Sequence, residues 1–340
     1  MTKTMNTTRP TGLVAIEYEM SRQNADAIAS FDAASSLAAT IAASLRKNGR
    51  LLLLGMGGSH AVGRAVEPFY RALGIDAVAI PLSEQLGQPL PLSGKTVLLT
   101  SQSGESAEVL RWFAEVGVPA DTFGLTLEGG STLARTVPSL VGAGGTEKAF
   151  AATRSLTLSF ALHLAILSAL GEDAEPALAL LRSERQPDVR AAVDALADVG
   201  SVVTSARRLQ GVAEAIALGL TELSRVPCFP LEGGQLRHGP MEMLGPKMGV
   251  VLFRARDETA EFVTRMAISA LEAGSPVVVF DASGQAPVEG AVTVDVGTAS
   301  DMAAVFALLP AGQHFMLGFA SMRVEDVGTP VRSSKITRSE

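Results

Sequence analysis

The chain has 340 residues, 47% of them hydrophobic and 19% charged. That is ample for sizeable cores and room for two domains of roughly 100–200 residues each, and it excludes a disordered chain. A net charge of −7, a pI near 5.3 and no dense Lys/Arg cluster argue against a nucleic-acid partner and leave any anionic ligand to a local site. The single cysteine, Cys228, excludes an intrachain disulfide and fits a reducing compartment.

The first ten residues, MTKTMNTTRP, are polar and lack the apolar core of a signal peptide. No uninterrupted apolar run reaches the ~18 residues of a membrane span. The expectation is a cytoplasmic chain that does not contact a membrane. From about residue 50 short apolar runs alternate with helical stretches. LLLLG (51–55), DAVAI (76–80), TVLLT (96–100) and DTFGLTL (121–127) read as strands. Residues 60–73 and 105–116 read as helices, and a long apolar helix runs from about Phe150 to Leu170. Short apolar strands alternating with helices of about a dozen residues predict a parallel sheet covered on both faces.

Residues 171–193, charged and with two prolines, break the rhythm and read as a connector. The pattern then restarts. SVVTS (201–205) leads into a helix over 206–223, and residues 248–280 mirror 96–127 in their alternation. The expected fold is therefore α/β, with two tandem units, each a parallel sheet flanked by helices on both faces. The divisions are 1–34 (tail and helix), 35–175 (first unit), 195–328 (second unit) and 329–340 (a C-terminal tail with a lysine).

The first copy carries SQSGES after its third strand; the second carries FRARDET. A helix N-terminus offers unpaired N–H groups and a positive dipole end. Ser101, Gln102, Ser103 and Ser106 stand there around Gly104, more hydroxyl and amide groups than one helix cap needs. They predict a phosphate cradle. GMGGSH (55–60) follows the first strand but is not a dinucleotide fingerprint. His60 falls where the third glycine belongs, and Asp76 precedes the second strand instead of ending it. Nor does a Gly-Lys-Ser/Thr follow for a P-loop. Gly57, Gly58 and Ser59 are expected to form a second wall of the same ligand site.

GMGGSH followed by TSQSGESAE resembles the sugar isomerase (SIS) domain, which binds phosphosugars. LEGGQLRHGPMEML (231–244) resembles the histidine loop of the isomerase half of glucosamine-6-phosphate synthase, and TPVRSSKITRSE (329–340) resembles that family's C-terminal lysine segment. The resemblance runs from about residue 35 nearly to the end. It implies that Glu222, sixteen residues before His238, is a general base between C1 and C2 of an open-chain sugar. It implies ring opening by His238, often across a subunit boundary, and contact of Lys335 with the sugar carbonyl, as a Schiff base. Thr153 joins the expected phosphosugar-binding set. The synthase's glutamine-hydrolysing domain and its N-terminal cysteine have no counterpart here, so glutamine-dependent synthesis is not expected. Gly219 stands where the synthase has a lysine, and is expected to open space beside Glu222.

Independently of the resemblance, Glu222 shares its helix with Glu214, giving that helix a polar stripe. A histidine flanked by Gly233, Gly234, Gly239 and Pro240 suits a ligand better than one on an apolar helix face, where His163 and His314 are placed. His60 reads as a helix-start residue. The four histidines are scattered, so neither a metal site nor a cofactor is expected. The leading expectation is an isomerase/deaminase for an amino- or amine-substituted sugar 6-phosphate, of glucosamine-6-phosphate deaminase or fructosamine-6-phosphate deglycase type. It is expected to be a homodimer, partly because of the apolar helix at 150–170. A non-catalytic phosphosugar sensor and an aldose–ketose isomerase without nitrogen chemistry are the alternatives.

Overall fold

The computed structural model describes residues 9–183 and 186–337. Only Arg9 and Pro10 of the polar start, and residues 329–337 of the final segment, fall within it. Two helices open the chain, α1 (Thr11–Ala33) and α2 (Ser35–Asn48). There follow β1 (Arg50–Gly55), α3 (Gly57–Ala72), β2 (Asp76–Pro81), α4 (Leu82–Gly87), β3 (Thr96–Thr100), α5 (Ala107–Val116), β4 (Thr122–Thr126), α6 (Thr132–Thr136) and β5 (Ser139–Val141). Three helices cross to the second half: α7 (Arg154–Leu170), α8 (Glu175–Leu181) and α9 (Arg190–Ala195). The second half holds β6 (Ser201–Ser205), α10 (Gln210–Ser224), β7 (Cys228–Pro230), α11 (Gly233–Arg237), a 3-10 turn at Pro240–Met243 and β8 (Met248–Ala255). It ends with α12 (Ala260–Glu272), β9 (Val277–Ala282), β10 (Val292–Asp295) and α13 (Asp301–Ser321).

The strands form two parallel five-stranded sheets, β2-β1-β3-β4-β5 and β10-β9-β8-β6-β7. Counted from its own first strand, each sheet has the order 2-1-3-4-5, as a duplication requires. Alternation along each strand explains why the runs are continuously apolar. Leu51 and Leu53 enter the large central core, whereas Leu52 and Leu54 join an outer cluster with Trp112 and Leu133. In the second sheet Val251 and Phe253 face the same central core, and Val250 and Leu252 face an outer cluster with Val263 and Met266. Each side chain so buried contributes about 1.5–3 kcal/mol. The central core between the sheets is helical, and there α10 packs on α3. A methyl group at Gly211 would lie 2.1 Å from the backbone nitrogen of Ala65, so only glycine lets the two helices approach this closely.

Several helices begin later or earlier than the pattern suggested. α3 starts at Gly57 rather than 60, which places Ser59 and His60 inside its first turn. α5 starts at Ala107 because Ser106 is extended (φ −67°, ψ 150°). α7 starts at Arg154, after Thr153 at φ −133° and ψ −74°. α10 starts at Gln210, whose side-chain carbonyl accepts from the Ala206 N–H at 3.1 Å. The segment read as a connector contains α8 and α9, whose Leu178, Leu181 and Val193 are buried.

The apolarity of α7 is explained inside the chain. It is buried at every position from Arg154 to Leu167 and packs against α1, α2 and α3. It therefore offers no dimer face, and that motive for a homodimer falls away. α13 is long and apolar enough to cross a membrane, but 83% of its apolar window is buried within the fold.

Candidate active site

In a sheet of this order the chain reverses direction between the first and third strands, and ligands bind at the carboxyl ends of the strands there. In the first unit that crevice is bounded by the first turn of α3, which follows β1 and holds Gly57, Gly58 and Ser59, and by the loop after β3. Ser101 and Ser103 are nearly buried. The Ser101 Oγ accepts from the Gly104 N–H at 3.1 Å, and the Ser103 Oγ accepts from the Glu105 N–H at 3.2 Å. Both hydroxyls brace the turn and keep their own protons to donate. Gly104 has φ +62°, and a methyl group on it would meet Ser131 Oγ at 2.2 Å. Ser106 occupies the cap position of α5, yet its side chain makes no capping bond. The backbone carbonyl of Gln102 accepts from Leu127 N and Thr126 Oγ1. Its side-chain Nε2 is buried with no partner among the described residues. A buried, unpaired donor beside free hydroxyls at a helix N-terminus is suited to an anion.

Three other elements converge on this crevice. α10 of the second unit crosses it: a methyl group at Gly57 would sit 3.7 Å from Leu218 Cδ2, one turn before Glu222. The start of α7 lies beside Gly58, where a methyl group would meet Leu156 and Ala152 at 3.1 and 3.6 Å. The third is the C-terminal tail. The backbone carbonyl of Thr337 accepts from the Ala107 N–H, the first of α5, at 3.1 Å. The ammonium of Lys335 donates to Glu147 Oε2 at 2.9 Å. Two residues span at most about 7 Å, so the Thr337–Ala107 bond holds the backbone of Lys335 close to the N-terminus of α5.

Glu222 is half-buried in α10. Burial, opposed by Lys335 and reinforced by Glu147, pushes its carboxyl up to about 7. Glu147 was not singled out from the sequence. It lies in the loop before α7, fully buried, and accepts from Thr153 N and Oγ1 (2.9 and 3.0 Å) and from Ser155 N and Oγ (3.3 and 2.6 Å). Burial alone would raise its carboxyl; Lys335 and the Ser155 and Thr153 donors instead hold it below the usual carboxylate range. The only trace in the sequence is an acid in a small-residue loop ahead of an apolar helix carrying Thr153 and Ser155. Two carboxylates thus flank one ammonium, one held ionised and the other able to take a proton near neutrality, the separation that acid–base chemistry requires.

The other sequence-derived residues divide. Thr153 is fully buried and its hydroxyl donates to Glu147 rather than facing a ligand. The ring of His238 is exposed and enters none of the described hydrogen bonds or ion pairs. His163 is a core residue, as expected. Its Nδ1 pairs with the Tyr70 hydroxyl at 3.0 Å, and burial pushes its imidazole down to about 3. Burial, together with Arg64, also lowers His60. Gly219 does not open space beside Glu222. Met316 of α13 fills it, with its sulfur 2.3 Å from where a Cβ would stand, because α10 packs closely on α13. Among the described residues no cluster of His, Cys, Asp and Glu is suited to a metal ion.

A cavity of about 1230 Å³ between α1, the end of α8 and α13 includes His314 but none of the expected site residues.

The fold is a doubly wound α/β architecture seen twice in the chain, in two parallel five-stranded sheets of the same strand order. Residues 195–317 match the family model described as "SIS domain". The chain carries a SIS domain and is homologous to the isomerase domain of glutamine–fructose-6-phosphate aminotransferase. The isomerizing aminotransferase of Lactococcus lactis is 27% identical over 241 residues, 64% of this chain and 39% of that protein. The Streptococcus pyogenes protein is 28% identical over 250 residues, 66% of this chain and 41% of its own length. The chain thus spans about two-fifths of the length of these relatives.

Among solved structures, the C-terminal domain of glucosamine-fructose-6-phosphate aminotransferase from Francisella tularensis superposes with a TM-score of 0.79 at 16% identity, covering 97% of this chain and 100% of that one. Tagatose-6-phosphate ketose/aldose isomerase from Escherichia coli gives 0.76 at 19%, covering 96% and 100%. Glucosamine-6-phosphate deaminase from Thermotoga maritima gives 0.66 at 20%, covering 92% and 99%. At these identities the likeness is one of fold.

Proposed function

We propose that this protein is a phosphosugar isomerase/deaminase acting on an amino- or amine-substituted sugar 6-phosphate. The observation that carries the reading is the convergence of Glu222, Lys335 and the serine loop on one crevice, with a tail of two residues' reach between lysine and loop. Ser101, Gln102, Ser103 and Ser106 bind the phosphate, and Ser59 with Gly57 and Gly58 forms the opposite wall. The carboxylate of Glu222 takes a proton from one of C1 and C2 and returns it to the other. A carboxyl titrating near 7 suits both halves of that transfer. The ammonium of Lys335 polarises the carbonyl between them. The exposed His238 opens the ring from a neighbouring subunit of a homodimer, so mixed His238→Ala and Glu222→Gln chains recover part of the activity through hybrid sites. A fully active monomer by sedimentation overturns that part.

The deciding experiment incubates the protein in deuterium oxide with glucosamine 6-phosphate, fructosamine 6-phosphates and fructose 6-phosphate. Deuterium at C1 or C2 is followed by NMR, and free amine and ammonia are assayed. Exchange with amine release is the expected result. Exchange without amine release identifies a plain aldose–ketose isomerase. Tight binding with neither identifies a phosphosugar sensor.

A further inference from the structure

Glu147 is nearly two hundred residues from the lysine it meets, and the way it is held shows what the pair is for. Four of its five donors come from Thr153 and Ser155 at the start of α7, and these alone satisfy a buried carboxylate. Arg154, between them, is also fully buried. Its Nε donates to Glu19 at 2.6 Å, one Nη to Asp26 at 3.1 Å, and its fork to the carbonyls of Ala143 and Gly145. Glu19 also accepts from the Lys148 N–H. The loop bearing Glu147 is therefore fixed to α1 on one side and to α7 on the other.

The tail is held far more sparsely. Its root is fixed where Thr329 gives its carbonyl to Arg225. Beyond that, the described hydrogen bonds tying it to the rest of the fold are Lys335 to Glu147 and Ala107 N–H to the Thr337 carbonyl.

We propose that Glu147 is a positioning residue: its rigid, buried carboxylate anchors the Lys335 ammonium and thereby holds residues 329–337 over the crevice, between Glu222 and the N-terminus of α5. This rests on the reading of Glu222 and Lys335 given above and adds the group that brings them together.

The test is made first without substrate, by hydrogen–deuterium exchange of the full chain, reading the Ala107 amide. Glu147→Gln and Lys335→Met are each expected to speed its exchange at least tenfold, Lys335→Arg to keep it protected, and the double variant to be no faster than either single one. Protection unchanged within twofold in both single variants overturns the proposal, as does additive loss in the double variant, which would mark two independent structural roles. Should Glu147→Gln fail to fold, loss in Lys335→Met with retention in Lys335→Arg supports the anchor, and retention in both overturns it. Where turnover is present, Glu147→Gln is expected to lower it at least tenfold, and Lys335→Arg to retain more of it than Lys335→Met. A protein that turns over no phosphosugar but loses Ala107 protection in these variants refutes the proposed activity and leaves the anchor standing. Turnover with unchanged protection does the reverse.

Discussion

The two switch points occupy the same place in the same strand order and hold opposite chemistry. In the first unit the segments after β1 and β3 carry no cation, their one charge being Glu105, which accepts from Thr132 and faces Arg135, and a buried donor, Gln102 Nε2, is left unpaired. In the second unit the corresponding loops carry Arg207, Arg208 and Arg256, and Arg254 is the penultimate residue of β8. These charges are largely answered from within. Arg207 pairs with Glu232 at 3.0 Å, and Arg208 with Asp301 at 2.7 Å and Glu258 at 3.5 Å. Arg254 grips Asp281 through two bonds of 2.9 and 2.6 Å, with both side chains buried. One copy leaves a buried donor unpaired; the other pairs most of its charges within itself. A crevice with more arginines is not the better anion site when Arg207, Arg208 and Arg254 each have a carboxylate in reach. The fold supplied two positions, and loop chemistry chose between them. The second unit then contributes by lending α10, and with it Glu222, to the first.

Glu222→Gln should break the comparison most severely. It keeps shape and hydrogen-bonding reach but cannot accept a proton. General-base contributions of ~10²–10⁴ correspond to about 2.7–5.4 kcal/mol of barrier, so turnover should fall by that factor. Phosphosugar affinity, measured by calorimetry, should change far less. A comparable loss of affinity would make Glu222 a binding group.

Arg254→Met tests whether the second switch point is purely structural. Leaving Asp281 buried and unpaired should cost about 3–5 kcal/mol, read by chemical denaturation, and a second change, Asp281→Leu, should recover most of it. Phosphosugar affinity should remain within about twofold of wild type. A large loss of affinity would place a ligand in the second unit as well.

The carboxyl of Glu222, raised to about 7, gives a rate limb and a stability slope. As a base it must be ionised, so turnover should fall about tenfold per pH unit well below 7. For stability the sign is opposite to that of an ion-paired acid. The folded chain holds this proton more tightly than the unfolded one, so stability falls as pH rises from the model-peptide value of about 4.5 towards 7. Glu222→Gln should abolish both, and a wild-type acid limb near 4.5 would refute the buried carboxyl.

Ser103→Ala should have the smallest effect. Losing one hydroxyl donor to a phosphate is worth about 1.5–3 kcal/mol, roughly tenfold or more in affinity. The turn loses one long bond to the Glu105 N–H, so melting should shift by about 1 kcal/mol or less. Unchanged affinity with lower stability would make the loop merely structural.

Residue order alone carried the strand rhythm, the duplication and the polar loop after β3, because buried parallel strands and helix starts leave local patterns. Glu222 and Lys335 were singled out through resemblance of the segments around them, the stripe shared with Glu214 being the one local sign of Glu222. Glu147 left almost no trace, since its burial and its lysine partner are set by contacts across 188 positions. The same limit explains Gly219 and α7. A missing side chain looks like empty space until Met316 is seen to fill it, and an all-apolar helix looks like an interface until α1, α2 and α3 cover it. The sequence by itself determined the alternation of the main strands and helices and which loop carries a run of hydroxyls, all of them short-range properties. Only the tertiary structure decided which carboxylate stays ionised and which can take a proton, because that depends on how far water is excluded and on which charges distant segments bring alongside.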